Sequence, residues 1–314
     1  MMVPAALLLL GALTAVVAPR VLARADVDRE PVVALWVWQC VVAAVLLCFA
    51  LSMTLSAAVA WQAVRGHVFA PAPSRVVDVY APAGTPGTWA AATAVALAAG
   101  GLWTAAMLTR EVVRTRSRRR RDRAALLERA PVLPGEAAAA DGLVVLEADR
   151  PDAWWLPGPE PRLVVTTAAL RRLGERELDA VRAHEKGHAR ARHDWLLHCS
   201  SALAGGFPRV PVFAAFRDEI HRLVELAADD SASRRHGRLA VALALVGLNE
   251  DRGVFGPTPS GGRADVPDRV HRLIAPPRRL SPFRRLGLTA AGALVPAVPL
   301  LVAFAPGLGV LHHG

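Results

Sequence analysis

Four stretches of this chain run for roughly the width of a bilayer without one charged side chain, and nothing else constrains its fold so tightly. They cover residues 1–19, 31–55, 89–108 and 286–310. A hydrocarbon core of about 30 Å takes about 20 apolar residues of helix, because backbone N–H and C=O groups in lipid must pair within the segment. The uncharged run of the second continues to Trp61, more than a crossing needs, so its ends must tilt or protrude. Pro296, Pro299 and Pro306 interrupt the fourth, which predicts a kinked helix. Composition agrees, with 53% hydrophobic residues and a mean hydropathy of +0.32.

Ala23-Arg24-Ala25 gives the first stretch the look of a cleavable leader. Its arginines (Arg20, Arg24, Arg29) follow the apolar run instead of preceding it, as expected of a retained span with its N-terminus outside. The same rule puts loop 62–88 outside. It puts the next basic run inside: Arg110, Arg114, Arg116, Arg118, Arg119, Arg120, Arg121 and Arg123. Such a run can serve nucleic acid. Directly beside a span, it reads instead as a juxtamembrane linker (110–129) touching anionic lipid. The bilayer is therefore an expected partner and nucleic acid is not. The chain is expected in the cell membrane, with 109–285 cytosolic, both termini outside and the fourth span last. The net charge of +10 is carried almost wholly by arginine, Lys186 being the only lysine. Cys40, Cys48 and Cys199 form neither a disulfide framework nor a metal-binding pair.

Within 109–285, Leu143 to Glu147 and Arg162 to Thr166 read as short strands, with Pro157-Gly158-Pro159 as the turn between them. Helical periodicity follows over 175–192, 213–235 and 238–248, and 251–264 reads as a loop. The first of these helices contains His184-Glu185-Lys186-Gly187-His188. A spacing of four puts both imidazoles on one helix face, where they can share one Zn²⁺, and Glu185 then lies beside the metal as a base for its water. The pentad alone also occurs on ordinary surface helices. A third ligand is needed, and Glu225 offers one, 37 residues beyond His188. Asp229, one turn further on the same face, can accept the second N–H of a ligating histidine. Leu223, Val224, Leu226, Ala227 and Ala228 surround the two carboxylates, which argues for burial and hence for partners. Asp194 and His193 compete as third ligand. Position 191 is Ala where a chain turning back to the metal would use Gly, and a continuing helix would carry His193 away, so Glu225 is favoured.

The pentad followed by Glu225-Leu226-Ala227-Ala228-Asp229, with flanking spans, resembles the membrane gluzincin peptidases. It is most similar to the antirepressor-type family of β-lactam sensor-transducers (BlaR/MecR-like), and more distantly to the HtpX and CAAX prenyl endopeptidase group. Arg269-Val270-His271-Arg272-Leu273 resembles the segment that leads into the family's last span. The resemblance implies a multi-pass α-helical membrane protein with a cytosolic α+β, mostly helical, gluzincin-type zinc metallopeptidase domain. It implies a protein substrate, with a transcriptional repressor as a candidate, bound as an added strand along an edge strand at Arg162, Val164 and Thr166. Those transducers carry a penicillin-binding domain after the fourth span; nothing of the kind follows Leu311 here, so β-lactam sensing does not transfer. Quality control of membrane proteins, as in HtpX, and a catalytically inactive scaffold are the rival readings. An oxyanion donor is not evident. Tyr80, the only tyrosine, falls in the outer loop, which leaves Arg269, His221 and His236 as candidates.

Overall fold

A computed structural model of the chain describes residues 2–25, 29–65, 88–129, 143–156, 162–249, 266–275 and 279–312. Helix α1 (Met2–Arg24) and helix α2 (Pro31–Arg65) take up the first two apolar stretches. They run antiparallel, since Ser52 Oγ donates to the Pro4 carbonyl (3.0 Å) and a Cβ on Gly11 would come 2.9 Å from the Cys48 Cβ. Gly11 is thus what lets the two backbones approach so closely. The third stretch forms the first half of α3 (Thr88–Arg129), which continues as one 42-residue helix through the arginine run. That helix is about 63 Å long at 1.5 Å per residue, twice a hydrocarbon core.

The fourth stretch is two helices, α10 (Pro282–Leu294) and α11 (Ala297–His312), bent by 41°. The break falls at Val295 and Pro296, where proline has no N–H to donate. Both lean on α2, and Trp36 Nε1 donates to the Thr289 carbonyl (3.2 Å). By length and composition, two helices among the described residues suffice to cross a membrane, or three if the bent pair counts as one. Residues 66–87 of the loop expected outside (62–88), the expected loop at 251–264 and the expected turn at 157–159 lie outside the described residues.

The sheet corrects the sequence reading. Strand β1 (Leu143–Leu146) and strand β3 (Arg162–Thr166) form as expected, but β2 (Ala153–Leu156) lies between them in sequence, and the order in space is β1-β3-β2. Strand β3 is therefore central, parallel to β1 and antiparallel to β2, and Arg162, Val164 and Thr166 are not on an edge. Val164 and Val165 are fully buried, as a strand covered on both faces requires. Strand β2 presents an edge, with no further strand paired to it among the described residues.

Behind the sheet stand α4 (Thr167–Arg172), α5 (Glu175–Arg190) and α8 (Arg238–Asn249), sharing a core of Leu163, Val165, Ala180, Val181, Val241 and Leu245. The apolar segment at 195–216 is a helical hairpin, α6 (His193–Gly206) and the start of α7 (Pro211–His236), turning over Phe207 to Val210. Helix α6 is about 21 Å long, too short to cross, so the chain reverses and both ends of the hairpin return to one side. Phe213, Phe216, Ile220, Leu223 and Val224 seat α7 against α1 and α2, with the Trp38 and Phe216 rings 6.3 Å apart. One end of α7 is thus packed among the apolar helices. Its other end carries Glu225 and Asp229, opposite α5.

Candidate metal centre

Helix α5 starts cleanly. Gly174 N–H donates to the Glu177 carboxylate (2.9 Å), and Glu175 and Glu177 place negative charge at its positive end. His184 and His188 follow one turn apart on the face towards α7. Gly187 lets that face close in, because a Cβ there would meet the Ser231 Cβ at 3.4 Å and the Ala228 Cα at 3.6 Å.

Donor groups of three residues converge between these helices. The Nε2 atoms of His184 and His188 lie 3.1 Å apart. Glu225 Oε2 is 3.7 Å from the first and Oε1 is 3.6 Å from the second. A tetrahedral zinc with arms of 2.0–2.2 Å has edges of about 3.3–3.6 Å, so the spacing fits. The group has the donor types zinc prefers, and it consists of the two histidines and the glutamate read from the sequence.

Electrostatics point the same way. Burial pushes His184 down, yet its hydrogen bonds to Asp229 and Glu225 outweigh that and bring it to about 9. Burial and the neighbouring charge of His184 take His188 down to about 3. Burial would raise Glu225, but His184 and Arg269 hold it at about 2. A site that keeps one carboxylate ionised and one imidazole neutral, and draws positive charge to a third group, suits a cation.

Behind His184, Asp229 Oδ1 lies 3.0 Å from Nδ1, as the i+4 spacing from Glu225 suggests. Asp229 is 1% exposed and takes a two-pronged bond from Arg269 of α9 (Val266–Ile274), at 2.8 and 2.7 Å. A third guanidinium nitrogen, Nη1, lies 2.8 Å from Glu225 Oε2. Helix α9 is itself clamped. Arg272 bonds Asp230 (2.7 and 3.0 Å), and Arg238 donates to the carbonyls of Leu273 (2.8 Å) and Ala275 (2.7 Å) at its C-terminal end.

Glu185 leans towards β2, where the Trp155 N–H donates to its Oε2 (3.1 Å). Burial, aided by the charge of Glu225, raises Glu185 to about 7. A carboxyl poised near neutrality can both take and return a proton. The cleft in front of these groups, about 230 Å³, is bordered by Asp152 and Ala153 of the β2 edge, by His184 and Glu185, and by apolar residues of α8.

The other sequence candidates fare differently. Asp194 is exposed on the first turn of α6 and is not in the metal group. His193 was expected to be carried off by a continuing helix, and it is not. Helix α5 ends at Arg190, Arg192 takes a left-handed φ of 51°, and the chain turns back. His193 is consequently 4% exposed, its Nδ1 3.0 Å from His188 Nδ1. No glycine or proline announces that turn. Thr166 caps α4 and bonds the Asp152 N–H (2.9 Å), so it shapes the entry to β2 instead of meeting a substrate. His221 is half-buried one turn before Glu225 and does not line the cleft. His236 is exposed at the far end of α7, about 16 Å along the helix from Glu225. Tyr80 lies outside the described residues.

Residues 117–245 match the sequence profile of peptidase family M48. No curated protein and no solved structure matches the chain. The match takes in His184, Glu185, His188, Glu225 and Asp229 and stops short of Arg269. It supports a metallopeptidase of that family, compatible with zinc at the three-donor group.

Proposed function

We propose that this chain is a membrane-associated zinc endopeptidase, with His184, His188 and Glu225 as metal ligands, Glu185 as general base and Asp229 holding His184. The convergence of three donors at tetrahedral spacing, each backed by a buried partner, carries the reading. Bound there, zinc would polarise the scissile carbonyl and acidify a water molecule. Glu185 takes the water's proton and passes it to the leaving amine. Arg269 spends three of its N–H groups on Asp229 and Glu225, which makes it a positioning residue for the ligand carboxylate, not an oxyanion donor.

The substrate strand belongs on β2. Asp152 O accepts from the Thr166 N–H (3.0 Å), so Asp152 faces β3, and by strand alternation Ala153 and Trp155 face outward. An extended peptide can pair with their outward carbonyls, and with the Trp155 N–H once Glu185 releases it, which gives affinity with limited sequence preference. The seat of α7 against α1 and α2 favours substrates at the membrane surface. With the arginine run inside, these are cytosolic or membrane-associated proteins. The resemblance to sensor-transducers favours regulated cleavage, with a repressor as one such substrate, over quality control.

The test is cleavage of an unstructured, quenched fluorescent protein by the detergent-purified chain. Zinc-dependent cleavage that vanishes in Glu185→Gln, with zinc retained, is expected. Cleavage unchanged in Glu185→Gln would refute the assignment.

A further inference from the structure

Both ligating histidines have to present Nε2, and each then carries its hydrogen on Nδ1, which needs an acceptor. For His184 the acceptor is Asp229, at 3.0 Å. Among the described residues no carboxylate is seen at hydrogen-bond distance from His188 Nδ1. The group at hydrogen-bond distance from its Nδ1 is the Nδ1 of His193, 3.0 Å away, with the two rings edge to face at 85°.

We infer that His193 is a positioning residue for the metal centre: its Nδ1 accepts the Nδ1–H of His188 and so aims the His188 Nε2 lone pair at the metal. The inference rests on the zinc-peptidase reading and extends it to a residue outside the ligand set. His193 cannot itself join the ligands through that nitrogen, because it approaches His188 on the side away from Glu225 and His184. The left-handed turn at Arg192 is what delivers it. A non-glycine residue at φ 51° costs on the order of 1 kcal/mol or more, and such a turn persists where its surroundings hold it. His193, buried beside His188 in the first turn of α6, is what that turn positions. The two ligands are therefore backed unequally, His184 by an anion and His188 by a neutral ring. That leaves His188 the less electron-rich donor.

Two variants separate hydrogen bonding from packing. His193→Phe keeps a ring and loses the acceptor; His193→Asn loses the ring and sets an amide oxygen where Nδ1 stood. Zinc affinity, read by competition with a chelator, should fall about 10- to 100-fold in His193→Phe. It should be largely restored in His193→Asn, with the metal-free proteins melting alike. Equal affinity in His193→Phe and the unmodified protein, or equal losses in both variants, would overturn the inference and leave the peptidase reading standing. An unmodified protein with no zinc affinity would instead overturn that reading, and this inference with it. A second measurement needs no variant: in the zinc-loaded chain labelled with ¹⁵N-histidine, His188 should carry its proton on Nδ1 and His193 on Nε2. A proton on His193 Nδ1 would also overturn the inference.

Discussion

Arg269 is the most informative side chain to remove. It is 7% exposed and touches both carboxylates of the centre. In Arg269→Met the length is kept and the charge is lost, so Glu225 and Asp229 face each other one turn apart with His184 as their remaining cationic neighbour. Removing one partner of a buried ion pair costs about 3–5 kcal/mol, because the other is left buried and unpaired. For a domain of this size each kcal/mol moves the melting temperature by about 2–4 °C, so a drop of roughly 6–20 °C is expected. The pH dependence has a definite sign. Both carboxylates are held below their ordinary range, Glu225 at about 2 and Asp229 lower still, and Arg269 is among the causes for each. A depressed carboxyl stabilises the fold above its ordinary pKa, and that contribution fades as pH falls through the depressed value. The gap between the two proteins should therefore be full at pH 7 and narrow steadily below about pH 4.5. Zinc should narrow it too, by supplying positive charge beside Glu225. Tryptophan-fluorescence melting in detergent at several pH values, with and without zinc, reads all of this. A metal-free melting temperature within about 2 °C of the unmodified protein at pH 7 would refute the reasoning.

Three further outcomes follow from the same geometry. Glu185→Gln should lower cleavage about 10²- to 10⁴-fold. It should also stabilise the metal-free protein increasingly from about pH 4.5 to 7, because burial raises Glu185 to about 7 and its charging in that window opposes folding; a difference in melting temperature that does not change with pH would contradict this. Trp155→Pro removes the outward N–H of β2 that Glu185 accepts from and that a paired peptide would use, so it should raise KM and also lower kcat while leaving zinc affinity intact; an unchanged KM would move the substrate off that edge. Gly187→Val should prise α5 from α7, costing about 1–3 kcal/mol and weakening zinc binding together; normal affinity would show that the helices can yield.

What could be read in the sequence was whatever depends on one helix at a time. The i, i+4 spacing of His184 and His188, and of Glu225 and Asp229, fixes which side chains share a face whatever the rest of the chain does, and these four meet. The apolar runs likewise became α1, α2 and the first half of α3, and the prolines of the fourth put its bend at Pro296. What could not be read depends on contacts between segments. Strand β2 is four residues long and stands next to Pro151 and Pro157, so its two tryptophans were the one sign of extended structure, and the sheet order that makes β3 central has no local signature. The turn at Arg192 uses no turn residue; tertiary packing of His193 imposes it. Arg269, far off in sequence, showed as a basic residue near a span, and its bond to Asp229 is visible once α9 is folded back over α7.

Every role assigned to this site depends on a bound metal ion. Zinc measured per chain in the unmodified, detergent-purified protein prepared without chelators, beside Glu225→Ala and Asp194→Ala, tests it most directly. One zinc per chain is expected in the unmodified protein, lost in Glu225→Ala and kept in Asp194→Ala. No zinc in the unmodified protein, or zinc that survives Glu225→Ala and disappears in Asp194→Ala, would contradict it.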